Sequence, residues 1–171
     1  WSSVAGAKVR GRDLVFCGGG DGVLYALDAV PVKRANNSLL EKVWWYDCNP
    51  PEYKARPDGK PIKYPDAEGP SEINATPVFY RDRVFIAIGQ DPEHGEGVGR
   101  LVCIDATRTG DVTQTATVWD YRVIYRSLST VSIDPGSGLL FVGDFSGFVH
   151  CLDAETGKAH WTHDMKAHLW G

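Results

Sequence analysis

A single frame recurs three times along this chain, and it limits the fold more than any other feature. Gly22 stands six residues before Asp28, Gly99 six before Asp105 and Gly147 six before Asp153. Each aspartate is followed by alanine (Ala29, Ala106, Ala154), and each unit then reaches a tryptophan: Trp44 with Trp45, Trp119, and Trp161. The intervening stretches V-L-Y-A-L, R-L-V-C-I and F-V-H-C-L all read as strands. In the last copy, Ala154-Glu155-Thr156-Gly157 follows as a turn, with glycine supplying a positive φ. Three matches at one spacing identify a repeat protein.

Each unit divides into four short strands. The first reads as Trp1–Val4, Leu14–Cys17, Val23–Asp28 and Val43–Tyr46. The second reads as Thr76–Phe79, Val84–Ile88, Leu101–Asp105 and Thr117–Tyr121. The third reads as Ser129–Ile133, Leu139–Val142, Val149–Asp153 and His160–Thr162. Antiparallel strands joined by hairpins in sets of four predict propeller blades. The 48 residues from Asp105 to Asp153 fit one blade, and the 77 from Asp28 to Asp105 imply an insertion. No segment carries a helical stripe, so the class is all-β. The expected units are 1–48, an insertion at 49–73, then 74–122, 123–167, and the opening of a further blade at 168–171.

The tryptophan has a physical role in such a blade: an indole covers a large apolar area, and its N–H can fix one sheet to the next. Three blades make an incomplete ring, since closed propellers have about 4–8. The chain is therefore expected to be a portion of a longer one. Its end sheets need missing blades, another protein or self-association to cover them.

A net charge of −4 lacks the basic face of a nucleic-acid binder, and no apolar run is long enough to span a membrane. No leader peptide is visible, though a portion cut from inside a chain would not show one. Cys103 and Cys151 hold equivalent places, where Ala26 stands in the first unit, so Cys17, Cys103 and Cys151 read as free, buried residues. Cys48 opens the insertion. Neither C-x-x-C nor C-x-x-C-H occurs, which removes the zinc-ribbon and covalent-haem readings.

At Leu152-Asp153-Ala154-Glu155-Thr156-Gly157-Lys158-Ala159-His160-Trp161 the sequence resembles the L-D-A-x-T-G-K-x-x-W signature of the pyrroloquinoline-quinone-like (PQQ-like) propeller repeat. Gly22 to Ala29 is similar to the same consensus, and Gly99 to Ala106 with Thr109-Gly110-Asp111 is a looser copy. The resemblance implies a propeller and a periplasmic or extracellular location. It covers quinoprotein dehydrogenases as well as outer-membrane assembly lipoproteins that bind other proteins. The dehydrogenases carry adjacent cysteines beside the quinone, and no Cys-Cys pair occurs here, so no quinone ligands are carried over.

Two loops are candidate sites. Gly89 to Gly97 is an acidic hairpin in which Asp91, Glu93 and Glu96 can offer carboxylates to calcium, although the spacing fits no EF-hand. Alternatively it is a solvated hairpin or a partner contact. The Pro-rich insertion presents Tyr53, Lys54, Arg56 and Tyr64 as recognition residues, or else it is a flap packed over a blade edge. Asp144 and Ser146 read as turn residues, His150, His160 and His163 as structural or surface histidines, and Gly18–Gly20 as a turn. The function expected is a non-enzymatic scaffold binding through rim loops. The alternative is part of a quinone- and calcium-dependent dehydrogenase with its active site in other blades.

Overall fold

The computed structural model describes residues 2–63, 66–67 and 69–171. Three sheets follow one another along the chain. The first contains β1 (Ala5–Val9), β2 (Arg12–Gly18), β3 (Val23–Asp28) and β6 (Lys42–Asp47). An exposed hairpin, β4 (Val32–Arg34) and β5 (Asn37–Leu39), interrupts it. The second sheet contains β7 (Val78–Tyr80), β8 (Arg83–Ile88), β9 (Arg100–Asp105) and β11 (Thr117–Tyr121). The third contains β12 (Ser132–Asp134), β13 (Leu139–Gly143), β14 (Phe148–Asp153) and β15 (Ala159–Asp164). Within each set of four, neighbouring strands are antiparallel. One 3-10 turn, Pro51–Tyr53, is the helical structure among the described residues. The class is all-β, with the four-stranded sheets of propeller blades.

The repeat is more regular in space than in sequence. Phe16, Ala26 and Trp44 stand in one cross-strand row, as do Phe85, Cys103 and Trp119, and Phe141, Cys151 and Trp161. The phenyl and indole centroids of the three rows are 5.7, 5.7 and 6.0 Å apart. Aromatic packing across a small central residue thus builds the same layer three times.

Neighbouring sheets are joined by the repeat residues themselves. Trp44 donates its indole N–H to the Ala106 carbonyl at 3.1 Å, and Trp119 donates to Ala154 at 3.2 Å. Each alanine follows a repeat aspartate and donates its own N–H back to the turn of its sheet, from Ala29 to Asp13, Ala106 to Asp82 and Ala154 to Gly138. The aspartates hold their turns through side-chain bonds: Asp28 accepts the Val30 N–H, Asp105 that of Thr107 and Asp153 that of Glu155. A short strand β10 (Gly110–Asp111) leaves the second unit and pairs in parallel with Trp44–Trp45 of the first. The repeat glycines sit where the next link crosses. A Cβ on Gly99 would lie 2.1 Å from the Tyr125 carbonyl oxygen, and one on Gly147 2.5 Å from that of Ala167.

Three expectations about the strands change. β1 begins at Ala5 and β12 at Ser132, later than the alternation suggested. The residues before them pair with the neighbouring sheet's entry: Ser3 N–H donates to Thr76 Oγ1 and Thr76 N–H to Thr130 Oγ1. The β4–β5 hairpin was not foreseen, because its strands are three residues long and exposed throughout. All four cysteines are free; Cys48, Cys103 and Cys151 are buried, but Cys17 is only half-buried. Burial pushes the Cys48 and Cys103 thiols up to about 12, which keeps them protonated.

Candidate composite rim site

The insertion is closed at its base by one buried side chain. Asn49 donates Nδ2 to the Ser71 carbonyl at 2.7 Å, and its Oδ1 accepts the Ser71 N–H at 2.8 Å. The two ends of the insertion therefore meet at Asn49 and Ser71. Lys54 pairs with Asp47, and Arg56 with Asp66 at 2.5 Å. Tyr53 donates its hydroxyl to the Gly99 carbonyl at 3.3 Å. Three of the expected recognition residues therefore make bonds within the chain that hold the insertion in place, and Tyr64 lies outside the described residues.

The acidic hairpin joins β8 to β9, on the rim to which the insertion also belongs. The two lock together. Glu72 and Gly89 exchange both main-chain hydrogen bonds at 3.1 Å. The Ser71 hydroxyl donates to the Val98 carbonyl at 2.7 Å and accepts the Val98 N–H at 3.0 Å. Gly97 N–H bonds the Ala67 carbonyl, and the buried Gln90 amide donates to Asp66 and Pro70 carbonyls. Glu72 meets the His94 Nδ1 at 2.7 Å. Arg126, on the link to the third sheet, reaches the Gly95 carbonyl while its guanidinium lies 4.2 Å from the Phe145 ring centroid. Loops read separately in the sequence thus form one surface.

The hairpin's carboxylates point to different places. Asp91 is buried; its Oδ1 accepts the Glu93 N–H, and its carbonyl accepts those of His94 and Gly95. This tight turn leaves Asp91 and Glu93 lining a cavity of about 360 Å³ with Asn74, Thr76, Thr130 and Trp170. Glu96 instead faces a separate cavity of about 210 Å³ beside Arg126 and His168. Among the described residues no group of three or more His, Cys, Asp or Glu side chains gathers in a way that could hold a metal ion.

Two polar centres have partners that the sequence did not show. Arg100, buried, donates to the Cys48 carbonyl at 2.9 Å and the Tyr46 hydroxyl at 3.1 Å, and pairs with Asp120. It ties the second sheet to the first; the signal was a charge at the head of an otherwise apolar strand. His150 lies buried between Tyr121, whose hydroxyl is 3.1 Å from Nδ1, and Asp144, 3.0 Å from Nε2. Asp144 does hold its turn, accepting the Phe148 N–H, but it also accepts that of Tyr125 from the second sheet's exit. His160 and His163 are exposed.

No family model matches the sequence, and no curated protein matches it. Among solved structures the chain is similar to BamB from Moraxella catarrhalis, with 18% identity, a TM-score of 0.61, and coverage of 96% of this chain and 38% of that one. A quinohemoprotein alcohol dehydrogenase from Comamonas testosteroni gives 15%, 0.60, and coverage of 88% and 26%. Sqt1 from Saccharomyces cerevisiae gives 13%, 0.64, and coverage of 99% and 37%. At these identities the likeness establishes the β-propeller fold, and the first two agree with the PQQ-like reading of the repeat. The chain spans well under half of each of those proteins. No helix among the described residues is long and apolar enough to cross a membrane.

Proposed function

We propose that this chain is part of a propeller that works as a non-enzymatic binding scaffold and engages a protein partner through the composite rim. The observation that carries this reading is the mutual locking of insertion and hairpin through Asn49, Ser71, Glu72, Gly89 and Val98. A rim held by main-chain bonds loses little conformational freedom on association, so more of the contact energy remains as affinity. The outer sheet faces are covered by further propeller blades or another chain, because Trp161 is 48% exposed where Trp44 is fully buried. The resemblance of the repeat supports a location in the periplasm or outside the cell.

A second reading, part of a quinone- and calcium-dependent dehydrogenase, draws its support from the likeness to the alcohol dehydrogenase. One pair of measurements separates them. A photo-crosslinking residue at Glu93 is expected to capture one discrete protein in cells, whereas the same residue at Lys33 on the exposed β4–β5 hairpin captures none. Equal capture at both positions removes the rim from the proposal. Stoichiometric uptake of pyrroloquinoline quinone with calcium, read by visible absorption, overturns the scaffold in favour of the enzyme.

A further inference from the structure

In a four-stranded antiparallel sheet, the turns between first and second strands and between third and fourth strands share one rim. The Arg81-Asp82 turn, the 135–138 turn and the Asp153–Gly157 turn therefore lie on the rim opposite the insertion and hairpin. Between them the second and third sheets leave a cavity of about 380 Å³, lined by Tyr80, Arg81, Arg83, Ser137, Asp153 and Glu155 among others.

The polar groups of this cavity do not satisfy one another. Tyr80 Oη is shielded from solvent and has no hydrogen-bond partner. Arg83 donates Nη1 to the Glu155 carbonyl at 2.9 Å, a neutral acceptor. Arg81 rests 5.0 Å from the Tyr80 ring centroid. Among the described residues neither guanidinium has a carboxylate within ion-pair distance. Of the two acids that line the cavity, Asp153 is committed to its own turn through Thr156 and the Glu155 N–H.

We propose that this cavity binds a carboxylate, with Arg81 and Arg83 as charged donors. Guanidinium forks match the two oxygens of a carboxylate, and charge-assisted bonds are the stronger kind. The choice of a monoanion follows from the lining: Asp153 and Glu155 repel a dianion such as phosphate more strongly than a single carboxylate. The same chemistry is offered by a free small acid and by the C-terminus of a peptide.

The test is a titration of the full chain, labelled with nitrogen-15, followed at the arginine Nε–Hε signals. Acetate represents the free acid, N-acetylglycylglycine the peptide terminus, and chloride the ionic-strength control. Saturable shifts at Arg81 and Arg83, absent with chloride, are expected. The affinity should fall at least about five-fold in Arg81→Gln and in Arg83→Gln. Tighter binding of N-acetylglycylglycine than of acetate assigns the site to peptide termini, and equal binding assigns it to small acids. Unchanged amide signals on the opposite rim confirm that each variant folds. Shifts that do not saturate, or that saturate at the same concentration in Arg81→Gln as in the wild type, overturn the site; phosphate binding more tightly than both probes overturns the carboxylate assignment.

Discussion

Trp119 and Trp161 occupy one position of successive sheets, beside the same phenylalanine and the same cysteine, yet the first is 9% exposed and the second 48%. Their own sheets treat them alike. The difference is made by the neighbour: the third sheet supplies Trp119 with the Ala154 carbonyl and covers the indole with the turn at Gly157, and nothing described here does so for Trp161. Burial in this architecture is conferred between repeats, and the indole is where one repeat tests for the next.

The largest effect that can break this comparison is truncation. Trp119→Ala is expected to destabilise the chain by about 3–5 kcal/mol, the usual range for a buried large aromatic. Trp161→Ala should cost roughly 1 kcal/mol or less, because half the indole already meets solvent. Urea unfolding of both variants measures the difference. Equal losses would mean that the row within each sheet, not the next sheet, carries the tryptophan's contribution.

A glycine substitution sharpens it from the other side. A Cβ on Gly157 would lie 2.5 Å from Trp119 Cδ2, and the residue's φ is 72°. Gly138 has φ 73° with no atom within 4 Å of its virtual Cβ. Gly138→Ala therefore reports left-handed strain alone, about 1–2 kcal/mol. Gly157→Ala adds overpacking of a further 1–3 kcal/mol. The expected order in thermal unfolding is wild type, Gly138→Ala, then Gly157→Ala, and reversal of the last two would detach the glycine from the indole's socket.

The repeat was legible because its residues carry recognisable side chains at fixed spacing. Gly22, Asp28 and Trp44, with their counterparts Gly99, Asp105, Trp119 and Gly147, Asp153, Trp161, announce turn, cap and socket in any copy. The phenylalanine row was less visible: Phe16 and Phe141 stand 12 residues before the repeat aspartate, but the long hairpin of the second unit puts Phe85 20 before it. The rim was legible only as two separate loops. What joins them has main chain on at least one side in nearly every bond, as between Ala67 and Gly97 or Glu72 and Gly89, and main-chain partners leave no mark in a sequence. The three acids of the hairpin illustrate the same limit: spacing could bring Asp91, Glu93 and Glu96 together, but the turn capped by Asp91 sends Glu96 to another cavity.

A smaller substitution isolates the hydrogen bond within the socket. Trp119→Phe keeps an aromatic ring but removes the donor to Ala154, so the carbonyl loses its partner. A loss of about 1–2 kcal/mol is expected beyond the change in packing, against almost none for Trp161→Phe. A double-mutant comparison with Gly157→Ala would show whether bond and ring contact act as one unit, since residues in contact couple by about 0.5–3 kcal/mol.

The mildest test concerns the turn that presents the Ala154 carbonyl. Asp153 is held below the usual carboxylate range, first by the Thr156 side chain and then by the Thr156 N–H. Asp28 is lowered as well, by the Val30 N–H and Arg12. A carboxylate depressed in the folded state stabilises it above the unfolded value, about 3.9, and that contribution disappears as pH falls through the lower folded value. Stability should therefore decline on acidification below about pH 4, and Asp153→Asn should flatten part of that decline. Asp28→Asn flattens it too, but only Asp153 lies under an indole that a neighbouring sheet must seat. Trp119 fluorescence, followed against pH in a chain whose other tryptophans are replaced by phenylalanine, is expected to move with Asp153→Asn and to ignore Asp28→Asn. A response to both would mean that acid loosens the sheets as a whole, and the socket would then have no turn of its own to depend on.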